Sequence, residues 1–408
     1  MRYRKNDRAL RKRPSVRTPL TISIVAVLLL YIGATLLWPL RIEIAGSPLE
    51  ITSQTSAVEL PWPAHGRAAI HAEGYGELGR NGDDTSVPIA SITKTITALT
   101  ILQKHPLKEN QPGPTITFDA ADVEIYNYYL GVDGSTAPVS DGFSLSQYDA
   151  MRTMLLPSAN NYADSLAIWA YGSMDAHLDA VSEFLADNNL TDTRITDASG
   201  FSEGSRSNLT DLLKIGKMVM DDPVLSKIVG QKTAAVPGVG TLNNTNFMLG
   251  TLGVTGIKTG TTDEAGNCLL FASSYVRGGV TIPMIGVVLG AEGFWELRDG
   301  VSALLETSQQ TFTDTLLFAK NEPVASYTAP WGATTQAVAT DDLTVVTWPG
   351  TATSATITPL GITSRTGTSV AVGRAGFGES TIDIALAEPI AGPSPLWRLT
   401  HPHLVFSL

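Results

Sequence analysis

The feature that most restricts this chain is an uncharged segment near its N-terminus. Between Arg17 and Arg41 there are 23 residues without a charge, TPLTISIVAVLLLYIGATLLWPL. As a helix they would extend roughly 35 Å, enough to cross a hydrocarbon core of about 30 Å. We therefore predict a transmembrane anchor over 19–40. The alternative is a cleaved signal peptide, for which the apolar stretch is long and a good small-x-small cleavage site is lacking.

Charge is distributed unevenly between the two sides of this segment. Residues 1–18 contain eight Lys or Arg and one acidic residue, which leaves 20 basic and 38 acidic residues in the rest. Basic flanks stay in the cytoplasm, so we predict a cytoplasmic tail over 1–18 and an extracytoplasmic body at the cell membrane. The acidic body argues against nucleic acid as a partner. The single cysteine, Cys268, excludes an intramolecular disulfide and a cysteine-rich zinc site.

Two regions of different pattern follow a predicted linker at 41–60. Residues 61–320 mix helical periodicity, as in 91–104 and 294–312, with strand-like runs such as NCLLFASSYVRGG and VTIPMIGVVLG. From 321 to 408 threonine is dense, and short alternating runs recur: LTVVTW, ATITPL, TSVAVG and STIDIALA. We predict an α+β domain followed by a small all-β domain.

A serine and a lysine three residues apart open the helical pattern in SVPIASITKTITALT (86–100). Positions i and i+3 of a helix share one face, so the amine of Lys94 can reach the hydroxyl of Ser91. A free lysine is a poor base, but burial and a second cation would lower its pKa. The pair is typical of a nucleophile with its base. Alone, S-x-x-K is weak evidence, because it also arises by chance in a chain of this length.

Two further motifs make the pattern more specific. Ser158-Ala159-Asn160 precedes a predicted helix, and Lys258-Thr259-Gly260 ends a predicted strand. Taken alone, the Ser158-Ala159-Asn160 motif is typical of an ordinary helix cap, and the Lys258-Thr259-Gly260 motif is common in turns. The three motifs in this order and in these contexts are far more specific than any one of them.

The set resembles that of the penicillin-recognising serine acyl-transferases, with S-x-x-K, S-x-N and K-T-G motifs. The similarity is greatest to low-molecular-weight penicillin-binding proteins, the serine-type D-alanyl-D-alanine carboxypeptidases, and covers roughly 60–320. It is carried by PIASITKTITAL, LLPSANNYADSLA, TDASGF, LNNTNFML and GIKTGTTDEAGNCL. It implies a five-stranded antiparallel sheet flanked by helices, with a helical subdomain. Asn161 departs from the pattern where relatives often have an acid, and Asn243 stands where some have an arginine.

The resemblance also implies site roles. Ser91 would be the nucleophile, Lys94 its base and Ser158 a proton relay. Substrate would be bound by Asn160, Lys258, Thr259, Gly260 and Thr261. Gly260 would leave room for substrate along its strand, and the N–H groups of Ser91 and Thr261 would form an oxyanion hole.

The implied reaction is removal of the terminal D-Ala from peptidoglycan stem pentapeptides, without a metal or other cofactor. β-Lactams would acylate Ser91 as inhibitors. One alternative is a class A-like β-lactamase, which needs a deacylating carboxylate, and no E-x-x-L-N follows Ser158. Another is a catalytically silent scaffold that binds the cell wall. GFSEG (200–204) also fits the nucleophile elbow G-x-S-x-G, but the next helix is predicted only near Asn208, which favours a surface turn.

Overall fold

The computed structural model describes residues 17–42, 58–350 and 355–406. It divides into two compact units, one of Ser53–Thr315 with Val346–Ala352, the other of Met1–Thr52, Leu316–Val345 and Thr353–Leu408. The predicted basic tail, except for its last two residues, and most of the predicted linker lie outside the described residues. The predicted boundaries at 61–320 and 321–408 stay predictions.

The uncharged segment forms helix α1, Arg17–Leu37, which is followed by the short strand β1, Arg41–Ile42. Its window Leu20–Leu37 has a mean hydropathy of 2.5, and only 6% of it is buried. Among the described residues it is the one helix long and apolar enough to cross a membrane. Length and composition therefore agree with an anchor or a signal sequence.

A five-stranded antiparallel sheet forms the centre of the larger unit. Its strands are β2 (Arg67–Ala72), β3 (Gly76–Asn81), β10 (Val254–Thr262), β11 (Gly266–Arg277) and β12 (Val280–Ala291). Their order is β10-β11-β12-β2-β3. Short strand pairs lie outside this sheet: β4 (Val87–Pro88) with β7 (Arg206–Ser207), β5 (Thr115–Thr117) with β6 (Ser144–Ser146), and β8 (Thr233–Val236) with β9 (Gly240–Asn243).

Helices cover both faces of this sheet, as the resemblance implied. They are α2 (Thr93–Lys104), α3 (Ala120–Gly131), α4 (Gln147–Leu155), α5 (Asn160–Tyr171), α6 (Met174–Asp187), α7 (Leu209–Asp221), α8 (Pro223–Val229) and α9 (Phe294–Thr311). Successive side chains of a strand point to opposite faces. Leu270 of β11 therefore joins the core formed with α2 and α4 to α8, whereas Phe271 joins the core with Leu304 of α9.

The smaller unit is mainly β-structure. Its strands are β13 (Thr313–Phe318), β14 (Pro323–Thr328), β15 (Thr334–Ala339), β16 (Leu343–Thr347), β17 (Thr356–Pro359), β18 (Ile362–Thr363), β19 (Ala371–Phe377) and β20 (Ser380–Leu386). Five of them form a sheet in the order β14-β15-β20-β19-β17. Strand β1 pairs with β18, and Ile42 is part of this unit's core.

One local prediction was wrong. The C-terminal region is not all β, because it ends in helices α10 (Pro395–Thr400) and α11 (Pro402–Val405). The Ser394 side chain accepts a hydrogen bond from the Trp397 N–H, and Pro395 occupies the first turn, a strong local start signal for a helix. The predicted helical pattern at 91–104 is present: Ser91 lies in a 3₁₀ turn, Ala90–Ile92, that leads directly into α2.

Candidate active site

The turn that carries Ser91 is held in an unusual conformation. Ala90 has φ of 45°, a region that costs an alanine roughly 1–2 kcal/mol. Gly200 permits a close approach to this turn, since its φ is 77° and a Cβ there would lie 1.9 Å from the Ala90 carbonyl oxygen. The loop around Gly200 therefore packs directly against the backbone that presents Ser91.

Lys94 is fully buried one turn later, in α2. Its Nζ lies 2.9 Å from Ser91 Oγ, 2.7 Å from Asn160 Oδ1 and 2.8 Å from the Ser199 carbonyl oxygen. A neutral amine has two N–H donors and one lone pair. The two carbonyl oxygens can take the donors, which leaves the lone pair to accept the Ser91 proton. The geometry fits a lysine that works as a base.

Burial is the main cause that lowers the pKa of Lys94, to about 7, while the carboxylates of Asp197 and Asp164 act in the opposite direction. Lys258 is also buried, and its pKa lies well below the ordinary value because of burial and the nearby charge of Lys94. Two buried amines near each other cannot both remain charged at low cost. The free base of Lys94 is therefore accessible near neutral pH.

The S-x-N motif leads into α5. Ser158 has φ of 65° and is buried, and its Oγ has no hydrogen-bond partner among the described groups. Asn160 binds Lys94, as given above. Asn161 donates from Nδ2 to the Ala137 carbonyl and accepts the Ala137 N–H at Oδ1. An aspartate could not donate the first of these bonds, which explains why an amide suits this position.

The K-T-G motif lies near the end of β10. Lys258 Nζ donates to the Thr259 carbonyl oxygen over 3.0 Å and lies 3.5 Å from Thr245 Oγ1. The hydroxyls of Thr245 and Thr259 are 2.6 Å apart. Two hydroxyls and an amine are thus gathered at this strand end. Such a group suits a carboxylate ligand.

Gly260 allows β10 to approach the Ser91 turn. A Cβ at Gly260 would lie 2.8 Å from the Ile89 carbonyl oxygen and 3.1 Å from the Ser91 nitrogen. The structure therefore gives Gly260 a packing role, and its predicted role of leaving room for substrate stays a prediction. Thr261 follows it and pairs with Asn267 of β11.

These elements enclose a cavity of about 210 Å³. Five of the eight predicted site residues line it: Ser91, Ser158, Thr259, Gly260 and Thr261. Lys94 and Asn160 connect to it through their contacts with Ser91, and Lys258 through Thr259. A larger cavity of about 670 Å³ lies beside Glu73 and Lys217 and contains none of the eight.

Several groups at the site were not predicted individually. The cavity is also lined by Ser135, Thr245, Phe247, Asn267, Cys268, Phe294 and Leu297. Thr245 and Phe247 belong to the quoted LNNTNFML segment, which was the only sequence signal for them. Ser199 acts through its backbone carbonyl, and no side-chain pattern marks such an acceptor. Ser202 of GFSEG sits in a loop without the strand-to-helix turn of a nucleophile elbow.

The family profile described as D-alanyl-D-alanine carboxypeptidase, peptidase family S11, matches residues 77–293, more than half of the chain. The chain belongs to this family. The predicted family, the α+β fold with its DD-peptidase catalytic domain, and a serine-type hydrolase are thereby confirmed. The roles of the predicted site residues stay predictions, and the matched residues 77–293 include both Ser91 and Lys94.

Curated relatives from this family differ in their named activity. A D-alanyl-D-alanine endopeptidase of Pseudomonas aeruginosa is 30% identical over 261 residues, 61% of this chain and 79% of that protein. A D-alanyl-D-alanine carboxypeptidase of Streptomyces sp. K15 is 27% identical over 266 residues, 61% of this chain and 88% of its own. Both are proteins to which this chain is similar.

A solved structure extends the similarity of fold beyond the catalytic region. It is described as a peptidoglycan synthesis regulatory factor, PBP3, from Streptococcus pneumoniae. The match has a TM-score of 0.59 at 18% identity and covers 82% of this chain and 100% of that one. At this identity the match is evidence for the fold alone.

Proposed function

We infer that this S11 peptidase removes the terminal D-Ala from peptidoglycan stem pentapeptides through an acyl-enzyme on Ser91. The observation that carries this proposal is the 2.9 Å contact between Ser91 Oγ and the buried amine of Lys94. Ser91 lines the same cavity as Thr259 and Gly260 of the K-T-G strand, and Lys94 connects to that cavity through Ser91. β-Lactams would acylate the same oxygen, because they mimic the reacting amide.

In acylation, Ser91 Oγ attacks the carbonyl of the penultimate D-Ala while Lys94 Nζ takes the hydroxyl proton. The new Oγ–C bond forms and the amide C–N bond breaks. The departing amine of the terminal D-Ala needs a proton, which passes from Lys94 through the hydroxyl of Ser158. The unpartnered, buried Oγ of Ser158 supports this role, since substrate would supply the missing partner.

Lys258 and Thr259 are the groups we assign to the terminal carboxylate. A bound carboxylate would raise the pKa of Lys258 and so favour its ammonium form, and Thr259 offers a hydroxyl that is already ordered by Thr245. Asn160 holds Lys94 with its oxygen and would use its Nδ2 for the substrate amide. The backbone N–H groups of Ser91 and Thr261 would stabilise the developing oxyanion. These assignments explain selection of a C-terminal D-Ala.

Deacylation reverses the first step with water in place of the amine. Water attacks the acyl carbon, Lys94 takes its proton, the Oγ–C bond breaks and Ser91 recovers a proton. The shortened stem is released. The hydrolytic outcome is supported by the names of the relatives, which are D-alanyl-D-alanine carboxypeptidase and D-alanyl-D-alanine endopeptidase.

We further propose that α1 anchors the enzyme in the cell membrane, with the catalytic unit outside. The exposed apolar surface of Leu20–Leu37 supports the anchor, and the basic residues before it support the orientation. An anchor would keep the enzyme close to its polymeric substrate.

The acyl-enzyme is tested by the intact mass of the full-length protein in detergent after mixing with benzylpenicillin, alongside Ser91→Ala. The full chain is needed because removal of β1 would take Ile42 from the core of the smaller unit. We expect a long-lived adduct of one benzylpenicillin that Ser91→Ala lacks. Drug hydrolysis without a lasting adduct would favour a β-lactamase. Neither adduct nor hydrolysis in folded protein would favour a silent scaffold.

Acylation is also expected to depend on pH with an acidic limb centred near 7, the pKa to which burial lowers that of Lys94. The sign follows from the active form: protonated Lys94 cannot accept the Ser91 proton, so the rate rises as pH increases through that value. Stopped-flow measurement of acylation by a chromogenic β-lactam between pH 5 and 9 checks this expectation. A flat profile over this range would contradict a lysine base.

A further inference from the structure

A cluster of carboxyl and hydroxyl groups lies behind Lys94, away from Ser91, and has no part in the mechanism above. Tyr129 Oη, from α3, lies 2.8 Å from Asp164 Oδ2 on α5 and 3.2 Å from Ser199 Oγ. Ser199 Oγ in turn lies 2.8 Å from Asp197 Oδ2. Because the carbonyl of Ser199 accepts from Lys94, the cluster contacts the base directly.

The two carboxyl groups have opposite environments. Asp197 accepts hydrogen bonds from two hydroxyls and two backbone N–H groups, those of Ser199, Ser205, Phe201 and Ser202. Four donors are the environment of an ionised carboxylate. Within the described part of the chain, Tyr129 is the only hydrogen-bond partner of Asp164, and Asp164 Oδ1 is shielded from solvent without a partner there. An anionic oxygen in that position would be costly.

Counting protons shows that one of the two carboxyl groups is neutral, and the four donors around Asp197 assign the proton to Asp164. The three contacts from Asp164 through Tyr129 and Ser199 to Asp197 need three protons, but the two hydroxyls supply only two. If Asp164 carries the third, Asp164 donates to Tyr129, Tyr129 donates to Ser199, and Ser199 donates to Asp197. Every contact is then a hydrogen bond. With both acids ionised, Tyr129 and Ser199 would face each other over 3.2 Å without a proton.

We propose that Asp164 is a positioning residue that holds a proton in the active enzyme and so keeps Lys94 in its free-base form. A negative charge on Asp164 would favour the ammonium form of Lys94. A neutral Asp164 removes that influence. The same proton completes the chain that orders Ser199, whose carbonyl fixes the Lys94 amine. The proposal rests on the proposed role of Lys94 as base.

Burial favours the neutral form of both side chains. It raises the pKa of Asp164 to about 6 and lowers that of Lys94 to about 7. The charged or titratable groups that face Asp164 are Lys94 from α2, Tyr129 from α3 and Asp197 from the loop between α6 and β7. Taken alone, these values would have Asp164 lose its proton about one pH unit before Lys94 does. The hydrogen-bond pattern opposes that order, because only a protonated Asp164 completes the chain to Asp197.

The substitution Asp164→Asn tests the order of deprotonation in the full-length enzyme. If Asp164 is still protonated when Lys94 becomes neutral, an isosteric amide leaves the acidic limb of the acylation profile within about 0.3 pH unit of the wild type. If Asp164 ionises first, its negative charge raises the pKa of Lys94. Asp164→Asn would then move the acidic limb of the acylation profile to lower pH. A downward shift of about one unit or more would overturn the proposal.

Infrared spectroscopy provides a readout independent of catalysis. We expect a C=O stretching band of a protonated carboxyl group at pH 7 that Asp164→Asn lacks and that Asp175→Asn, on the exposed start of α6, retains. Tyr129→Phe should shift this band, since it removes the partner of Asp164. The absence of a band sensitive to either variant would overturn the proposal. A wild type that forms no penicillin adduct would refute the proposed function and leave this readout valid.

Discussion

Replacing Lys94 with methionine is expected to slow acylation of Ser91 by benzylpenicillin by about 10³-fold, the loss typical of removing a general base. Methionine is close in length and apolar, so it suits a fully buried position. The fold should persist while the proton acceptor is lost. The rate of adduct formation by intact mass gives the measurement, and thermal unfolding verifies the fold.

Two matched variants test whether the loss of acylation comes from removal of the base. Lys94→Arg keeps the positive charge but cannot become neutral, so we expect it to be as inactive as the methionine variant. Lys104→Met makes the same change at the exposed end of the same helix and should acylate within about twofold of the wild type. A Lys94→Met enzyme that acylates within tenfold of the wild type would show that another group takes the Ser91 proton.

The substitution Gly200→Ala is expected to lower both stability and acylation. Its methyl group would lie 1.9 Å from the Ala90 oxygen and 2.7 Å from Thr93 Oγ1, so the loop has to move. We expect a loss of about 3 kcal/mol in the free energy of unfolding, from strain at positive φ plus overpacking. Displacing the loop also moves the Ser199 carbonyl from Lys94, so acylation should fall by tenfold or more.

Gly172→Ala is the control that introduces backbone strain at positive φ without overpacking. Gly172 has φ of 87° at the end of α5, and nothing lies within 4 Å of a Cβ there. Its alanine variant should lose only about 1–2 kcal/mol and acylate normally. Chemical denaturation of both variants measures the difference. Equal losses of stability, with acylation unaffected in both, would contradict a tight contact between the Gly200 loop and the Ser91 turn.

Much of the fold followed from local patterns. The uncharged segment predicted α1, and the apolar periodicity at 294–312 predicted α9, because each pattern reports directly on the surroundings of its own helix. The strand-like runs near 254–291 became three neighbouring strands of the sheet. The C-terminal helices were missed, since they are short and depend on a cap at Ser394 and not on periodicity.

The candidate site was predicted in part. Ser91 and Lys94 are three residues apart, so local helical geometry alone brings their side chains together. The resemblance supplied Ser158, Asn160 and the K-T-G residues, and the structure places them at or next to one cavity. Gly260 was predicted only as a residue that leaves room for substrate. Its contact with the Ser91 turn could not be predicted, because that contact exists only after β10 packs beside the turn.

The sequence by itself determined the long apolar helix, the order of the motifs, the family and the close spacing of Ser91 and Lys94. Each of these is a property of residue types at short spacing, which does not require knowledge of the folded chain. Only the tertiary structure decided how Lys94 is buried, that the Ser199 carbonyl holds its amine, and that Asp164 faces Tyr129. The physical reason is that desolvation and hydrogen-bond partners come from residues far apart in sequence. The charge states on which the chemistry depends are therefore set by packing.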